Sequence, residues 1–355
     1  LSFRARRDAP ADRAALMGVF GKLFAARPAE PVTRLFFASD LHGSERTFRK
    51  FLNAAKIYQA QVLVMGGDVV GKVAIPIIRE ASVNGEPRYR AYLMGRTEHL
   101  EGAAGLQRFT DNLGTLGYYG AEMEADEYRA VKDDKAAIDR IFATLALRRL
   151  MSWMELADER LRGSGIKLYM MGGNDDEQTL LDELMQTQYE NVVFCENRAV
   201  EISEHHVMIS AGISTPTPWA TPREMEEPQL AALLTGLVEK VPDPSKAIFN
   251  FHVPPVDSTL DTCPQLDWTT DPPSQIVKSG QAVLFGAGSH AVRTAIETHQ
   301  PLLSLHGHIH ESGGVTKIGR TTAINPGSEY GEGILRGCIV TLGRESIKST
   351  QMTSG

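Results

Sequence analysis

Short apolar runs recur along this chain, and each gives way to glycine or serine and then to a side chain able to bind a cation. Leu35-Phe36-Phe37-Ala38-Ser39 leads into Asp40 and His42, and Val62-Leu63-Val64-Met65-Gly66-Gly67 into Asp68. Leu168-Tyr169-Met170-Met171-Gly172-Gly173 leads into Asn174, and Ala247-Ile248-Phe249-Asn250-Phe251 into His252. Leu302-Leu303-Ser304-Leu305-His306-Gly307 leads into His308 and His310. Such runs, bounded by glycine and polar residues, read as buried strands. In open α/β sheets ligands collect beyond the carboxyl ends of the strands. One residue so placed would be an accident; the repetition predicts a site.

Between these strands the apolar spacing changes. Ser44 is a reasonable N-cap, and Phe48, Phe51, Leu52 and Ala55 follow at helical intervals, so residues 35–68 read as a βαβ unit with parallel strands. The interval from Asp68 to Asn174 is far longer than one crossover helix needs. Within it Ala74 to Ile78 and Arg88 to Leu93 predict a hairpin, followed by helical stretches near 99–115 and 125–162. We read residues 72–165 as a mostly helical inserted cap rooted beside the site; a dimerisation arm is the other reading. Beyond Asn174 the pattern predicts a helix near 177–188 and strands near 192–194, 199–202 and 206–211. Two proline-rich loops, Thr215 to Pro228 and Pro254 to Pro273, adjoin candidate residues and are expected to rim the site, as loops of this length commonly do.

Composition narrows the class. The 355 residues are 42% hydrophobic, ordinary for a soluble globular chain, with a formal charge of −7. That balance argues against a general nucleic-acid partner, which usually carries a basic stripe. Cys195, Cys263 and Cys338 are odd in number and widely spaced, so neither a disulfide framework nor a cysteine zinc site follows, and a reducing cytoplasm is the plain expectation. No apolar run approaches the ~20 residues of a membrane span. Leu16, Val19, Phe20, Leu23 and Phe24 predict an amphipathic helix, which makes residues 1–30 an N-terminal extension to a core of 31–355. Its apolar face would pack on the core or on a second copy, or lie on a lipid surface; a homodimer through this helix or the cap stays open.

Asp-x-His at 40 and 42, Gly-Asp at 67–68, Gly-Asn at 173–174, the isolated His252 and Gly-His-x-His at 307–310 resemble the calcineurin-like metallophosphoesterases in kind and in order. The resemblance covers roughly residues 34–345. Within that superfamily the chain is similar to the bacterial and archaeal branch that carries His-Val-Pro-Pro (252–255), Gly-Ser-x-x-Val-Arg (288–293), Gly-His-Ile-His-Glu (307–311) and Asn-Pro-Gly-Ser (325–328). It implies an α/β fold, a four-layer αββα sandwich of two mixed sheets flanked by helices. It also implies two divalent metal ions, with Mn, Fe and Zn all compatible with mixed imidazole and carboxylate ligation. Asp40, His42, Asp68 and His310 would hold one ion; Asp68, Asn174, His252 and His308 the other. Asp68, Asn174, His252 and the neighbouring Asp175 are the catalytic candidates. The implied reaction is hydrolysis of a small-molecule or nucleotide phosphoester by a metal-bridging hydroxide, a diester being favoured because no extra Arg or Lys cluster awaits a dianionic monoester.

One position departs from the pattern. Many members carry Gly-Asn-His-Asp/Glu, and the histidine stabilises the transition state or protonates the leaving oxygen; here the sequence is Gly173-Asn174-Asp175-Asp176. A carboxylate there is a poor acid, so His99, Tyr118, Tyr119 or water is expected to compensate, while Asp176 is expected to orient a ligand histidine. Asp175 keeps alive a non-catalytic metal-binding scaffold of the same fold; a nuclease is the third reading. His306 is a candidate supporting residue, and His99 and His290 candidate substrate contacts. Of the pair His205 and His206 one should point inward. Ser289 reads as an N-cap, with an anion site at Gly286 to Ser289 as the alternative.

Overall fold

The computed structural model describes residues 31–83 and 85–355, so the helix expected within 1–30 lies outside the described residues. In chain order the structure begins β1 (Thr33–Ala38), α1 (Glu45–Ile57), β2 (Val62–Gly66), β3 (Ala74–Val83), β4 (Glu86–Leu93) and β5 (Arg96–Glu101). It continues α2 (Gly102–Thr115), β6 (Tyr119–Glu124), α3 (Ala125–Val131), α4 (Lys135–Leu161), β7 (Lys167–Met171) and α5 (Gln178–Leu184). Next come β8 (Val192–Phe194), β9 (Ala199–Ser203), β10 (His206–Ala211), α6 (Glu227–Val238) and β11 (Ile248–Phe251). The chain closes with α7 (His290–His299), β12 (Leu303–Leu305), β13 (Gly314–Ile318), β14 (Thr321–Asn325), β15 (Arg336–Leu342) and β16 (Ile347–Ser354).

Strands that are apolar at every position must be covered on both faces, and this chain meets that demand with four layers. One six-stranded mixed sheet has the order β16-β15-β1-β2-β7-β8, the other β13-β14-β12-β11-β10-β9. Leu35 and Phe37 of β1, with Val62 and Val64 of β2, face Ile248, Leu303, Leu305 and Ile324 of the second sheet across a shared core. Their alternating neighbours Phe36, Ala38, Leu63 and Met65 turn outward against Phe48 and Phe51 of α1 and Leu150 and Trp153 of α4. The Phe48 and Trp153 rings stack with centroids 4.2 Å apart. On the opposite side Phe249, Phe251 and Ala323 meet Leu230 and Leu234 of α6 and Val292 of α7. The sandwich is therefore α/β/β/α.

Strands β1, β2 and β7 are mutually parallel, as are β10, β11, β12 and β14. The candidate residues thus leave the same kind of strand end in both sheets. Between β2 and β7 lies the insertion, and it holds more strand than the hairpin expected of it: β5-β4-β3-β6 form a four-stranded sheet with a core of Ile77, Tyr89, Leu100, Phe109 and Leu113. Helix α2 starts at Gly102, and the second helical stretch is two helices, α3 and α4, the latter capped by Asp134, whose carboxylate accepts from Ala137 N at 3.0 Å. Arg149 of α4 reaches the main sandwich, donating to Gly43 O and Tyr118 O, both at 2.9 Å. In the loop from Pro254 onward, short ladders pair 262–264 with 284–286, 266–267 with 274–275, and 277–278 with 281–282.

Candidate metal centre

The loops after β1, β2, β7, β11 and β12 bring all seven expected ligands into one place. Asp40, His42 and His310 form one group, Asp68, His252 and His308 a second, and within each group the ligand atoms lie within 4.8 Å of one another. Asn174 joins the second group through its Oδ1, 2.7 Å from His308 Nδ1. His42, Asp68 and Asp175 form a third group, so Asp68 belongs to two of them and Asp175 reaches the centre. The Nε2 atoms of His42 and His310 are 3.2 Å apart.

Backbone geometry makes this convergence possible. Asp40, His42, Asp68 and His308 all have positive φ, at 57°, 41°, 49° and 68°. Non-glycine residues rarely sit there, and each such conformation stores of order 1–3 kcal/mol that the surroundings must hold in place. The clamps are identifiable. Asn325 donates through Nδ2 to Gly307 O and Ile309 O, at 3.2 and 2.9 Å, fixing the turn that carries both ligand histidines. Ser328 Oγ donates to Asp40 O at 2.6 Å, and His308 N donates to the Asp40 carboxylate at 3.0 Å. Asp176 accepts from Val69 N, Val70 N and Gly173 N, at 3.1, 2.8 and 2.7 Å. It therefore ties the Asp68 loop to the Asn174 loop, where the sequence suggested that it orients a histidine. Glycine at 173 is required by contact: a Cβ there would lie 2.1 Å from Asp68 Oδ1.

The donor set fits divalent cations. His252 Nδ1 donates to Gly66 O at 2.8 Å, which leaves Nε2 aimed at Asp68 Oδ2, 3.4 Å away, and Asp40 Oδ1, 3.9 Å away. That Nε2 and His42 Nδ1 are buried without a hydrogen-bond partner. Buried polar atoms are normally satisfied, and imidazole with carboxylate is a natural set for a first-row transition ion. The electrostatics are those of charges held close. Burial raises the Asp40 carboxyl, but the His310 hydrogen bond and the nearby His252 and His310 rings outweigh it and leave the pKa at about 2. Burial lowers His252, yet the Asp68 and Asp40 carboxylates carry it up to about 10. His42 and His308, where burial dominates, fall to about 3 and about 4.

Asp175, in place of the expected histidine, has a partner that the sequence did not suggest. Lys72 Nζ lies 2.5 Å from Asp175 Oδ2, with the lysine side chain 48% exposed and the aspartate 17%. Burial and the Asp68 charge push the Asp175 carboxyl up; the Lys72 ammonium opposes them. Burial lowers Lys72, but Asp175 outweighs it and keeps the amine charged. Of the donors expected to compensate, Tyr119 accepts from Gly71 N through its hydroxyl at 2.8 Å and is buried, its pKa raised to about 12 mainly by desolvation. His99 is exposed on β5. Thr221 Oγ1 accepts from Asn174 Nδ2 at 3.0 Å, and Arg223 donates to Gly173 O at 3.1 Å while pairing with Glu196. The Tyr330 ring packs on His42, centroids 4.6 Å apart. These residues lacked motif spacing; position was their only signal, Lys72 in the loop after Asp68, Thr221 and Arg223 in the first proline-rich loop, and Tyr330 after Ser328.

Three further expectations resolve. His306 is buried and bonds Phe251 O at 2.8 Å and Ser304 Oγ at 2.8 Å, bracing the residue before His252. His206 is the inward member of its pair, 3% exposed. At α7, Ser289 Oγ accepts from Val292 N, and the Glu227 carboxylate accepts from His290 N and Ala291 N. A carboxylate already fills that helix end, so Ser289 is an N-cap and no anion site remains there. No described helix is long and apolar enough to cross a membrane.

No family model matches the chain. It is 29% identical over 157 residues to an uncharacterized protein of Methanocaldococcus jannaschii, across 43% of this chain and 61% of that protein, so it spans only part of that relative's length. One crystal structure superposes with a TM-score of 0.53 at 13% identity, covering 91% of this chain and 99% of its own, which speaks to the fold alone. A second similar structure is an archaeal phosphodiesterase, at a TM-score of 0.37 and 12% identity, covering 91% of this chain and all of its own. At that score it carries no argument about this chain.

Proposed function

We propose that the protein is a calcineurin-like metallophosphoesterase that uses two divalent metal ions to hydrolyse a phosphoester, with a diester preferred. The observation that carries this reading is the convergence of Asp40, His42, Asp68, Asn174, His252, His308 and His310 in two overlapping groups, four of them on backbone held at positive φ. Asp40, His42, Asp68 and His310 would hold one ion and Asp68, Asn174, His252 and His308 the other. Bound there, the ions supply Lewis acidity, neutralising phosphoryl charge and making hydroxide available near neutral pH.

The chain's own residues do the positioning. Gly66 O fixes the His252 ring with Nε2 inward. Thr221 and His308 orient the Asn174 amide. Lys72 sets an ammonium beside Asp175, the residue that stands where many members of the resembled family carry a histidine. An ammonium in that place stabilises charge that develops on a phosphoryl or leaving oxygen. It also offsets the carboxylate that would otherwise repel phosphate, which weakens the scaffold reading. The cytoplasm is the expected setting, given the three separate cysteines.

The test is turnover of bis-(p-nitrophenyl) phosphate and p-nitrophenyl phosphate by Mn²⁺-loaded protein. Diester turnover above monoester turnover is expected, with Lys72→Met lowering kcat on both by about 100-fold or more. Two bound metal equivalents with neither ester hydrolysed would overturn the reading in favour of a scaffold.

A further inference from the structure

The cleft that ends at the ligand groups is much larger than a phosphoryl group requires. Its volume is about 1670 Å³, against roughly 300–1,000 Å³ for pockets that enclose a drug-sized ligand. Its lining includes Asp68, Asn174, Asp175, His308, His310 and Lys72. The solvent-exposed part of the lining mixes charged residues such as Lys135, Asp139 and Arg140 with a group of large apolar ones: Trp219 is 65% exposed, Trp268 47%, Phe285 46% and Ile138 42%. Scattered exposed apolar residues need no explanation, but several gathered around one concavity mark a binding surface. These four come from separate stretches of chain: the first proline-rich loop, the second, the segment before α7, and α4 of the insertion. They meet only in the fold.

We propose that this wall receives the organic substituent of the phosphoester, and that the substituent is a long aliphatic chain; the inference rests on the phosphoesterase reading. Three features favour an alkyl chain over a nucleoside. The Trp219 and Trp268 rings meet edge to face, centroids 5.6 Å apart and planes at 72°, so they leave no parallel slot for a flat base. The loop backbone beside them includes Pro216, Pro218, Pro222 and Pro264, which have no N–H to offer a base edge. Val73, Phe142 and Leu266 continue the apolar lining of the same cleft. The candidate ligands Asp68 and Asn174 are buried while the large apolar side chains stand at the exposed part of the same cleft, an arrangement that suits an amphiphile with a phosphate head.

The experiment compares p-nitrophenyl methyl phosphate, p-nitrophenyl octyl phosphate and thymidine 5′-p-nitrophenyl phosphate as substrates of the Mn²⁺-loaded full chain. Each methylene removed from water is worth about threefold to fourfold. Burial of only a few therefore predicts a kcat/KM at least about tenfold higher for the octyl than for the methyl ester. Trp219→Ala and Trp268→Ala should each shrink that ratio. A ratio near one, or preference for the thymidine ester over the octyl ester, overturns the assignment. Calorimetric binding of octyl phosphate against methyl phosphate separates the two claims. If octyl phosphate binds about tenfold tighter while no ester is turned over, the wall stands and the phosphoesterase reading falls. If methyl and octyl esters are hydrolysed equally well, the reading stands and the wall falls.

Discussion

The two ends of the cleft are built on opposite terms. At the inner end Asp40, His42, Asp68, Asn174 and His252 are each at most 3% exposed, four of the seven expected ligands sit on positive-φ backbone, and Asn325, Ser328 and Asp176 pin the loops that carry them. At the outer end Trp219 and Trp268 are 65% and 47% exposed, on proline-rich loops, and touch each other. Rigid backbone at the chemistry and exchangeable side chains at the rim divide the labour. The first fixes which reaction the site can support, and the second fixes which molecule is presented to it. A substitution at the inner end should abolish function, while one at the outer end should redirect it.

The sharpest way to break that division is Asp68→Asn. Asp68 takes part in two of the three ligand groups and also accepts from Asp175 N at 3.0 Å. Asparagine keeps the shape and that hydrogen bond but removes the negative charge facing His252 and His42. The bound metal should fall from two equivalents to one or fewer by elemental analysis, and kcat should drop about 10,000-fold or more, roughly 5 kcal/mol of barrier. Retention of both metal equivalents with full turnover would show that the inner end is not the reactive one.

Next in size is a change behind the site. Trp153 is 1% exposed and stacked on Phe48 between α4 and α1. Trp153→Ala should destabilise the fold by roughly 3–5 kcal/mol in urea titration, because the space it leaves is walled by a packed core. A loss under about 1 kcal/mol would mean that α4 is docked by contacts such as those of Arg149 and that its apolar face contributes little.

These two predictions also mark what the sequence made legible. Strands near 192–194, 199–202 and 206–211, the second ending one residue later in the structure, and the meeting of the seven candidate residues could be read beforehand, because short apolar runs that stop at glycine or polar residues have few structural solutions. The insertion was harder. Strand β5, Arg-Thr-Glu-His-Leu-Glu, buries only Leu100, and β6 carries its signal on Tyr119, Ala121 and Met123 alone, too short a period-two pattern to separate from the helices beside it. Lys72 was not legible for a different reason. A lone lysine has no spacing signature, and what gives it meaning is the carboxylate of Asp175, distant in sequence. Asp176 was noticed but given the wrong partner, because backbone N–H groups that converge on a carboxylate cannot be seen in a string of side chains.

A third prediction concerns pH and uses a histidine outside the ligand set. Burial lowers His306 from 6.5 to about 4, despite its bond to Phe251 O. Between those values the unfolded chain holds a proton that the folded one does not, so stability rises with pH there and is lost on acidification. Chelator-treated protein should lose roughly 3 kcal/mol from this residue between pH 6.5 and 4, on top of losses from His42 and His308, which shift the same way. His306→Gln should show a shallower acid limb in urea midpoints. Identical limbs would place the proton elsewhere.

The smallest expected effect is the most telling for the outer end. Trp219→Ala removes a large indole that is mostly in water, and its loop is held by other means: Thr217 Oγ1 accepts from Trp219 N at 3.3 Å, and Glu224 accepts from Thr217 Oγ1 at 2.5 Å and from Thr221 N at 2.8 Å. Stability should change by no more than about 0.5 kcal/mol, the range of surface substitutions that touch no special feature. Trp153→Ala, the same chemical change at the buried position, is several-fold larger by the argument above. The pair of measurements therefore tests whether size or location governs the indole's role. If Trp219→Ala lowers stability by more than about 1.5 kcal/mol, the indole belongs to a core, and the outer wall would be packing that happens to border the cleft. If stability holds while the octyl preference falls, an indole left in water by the fold has its purpose in what the cleft receives.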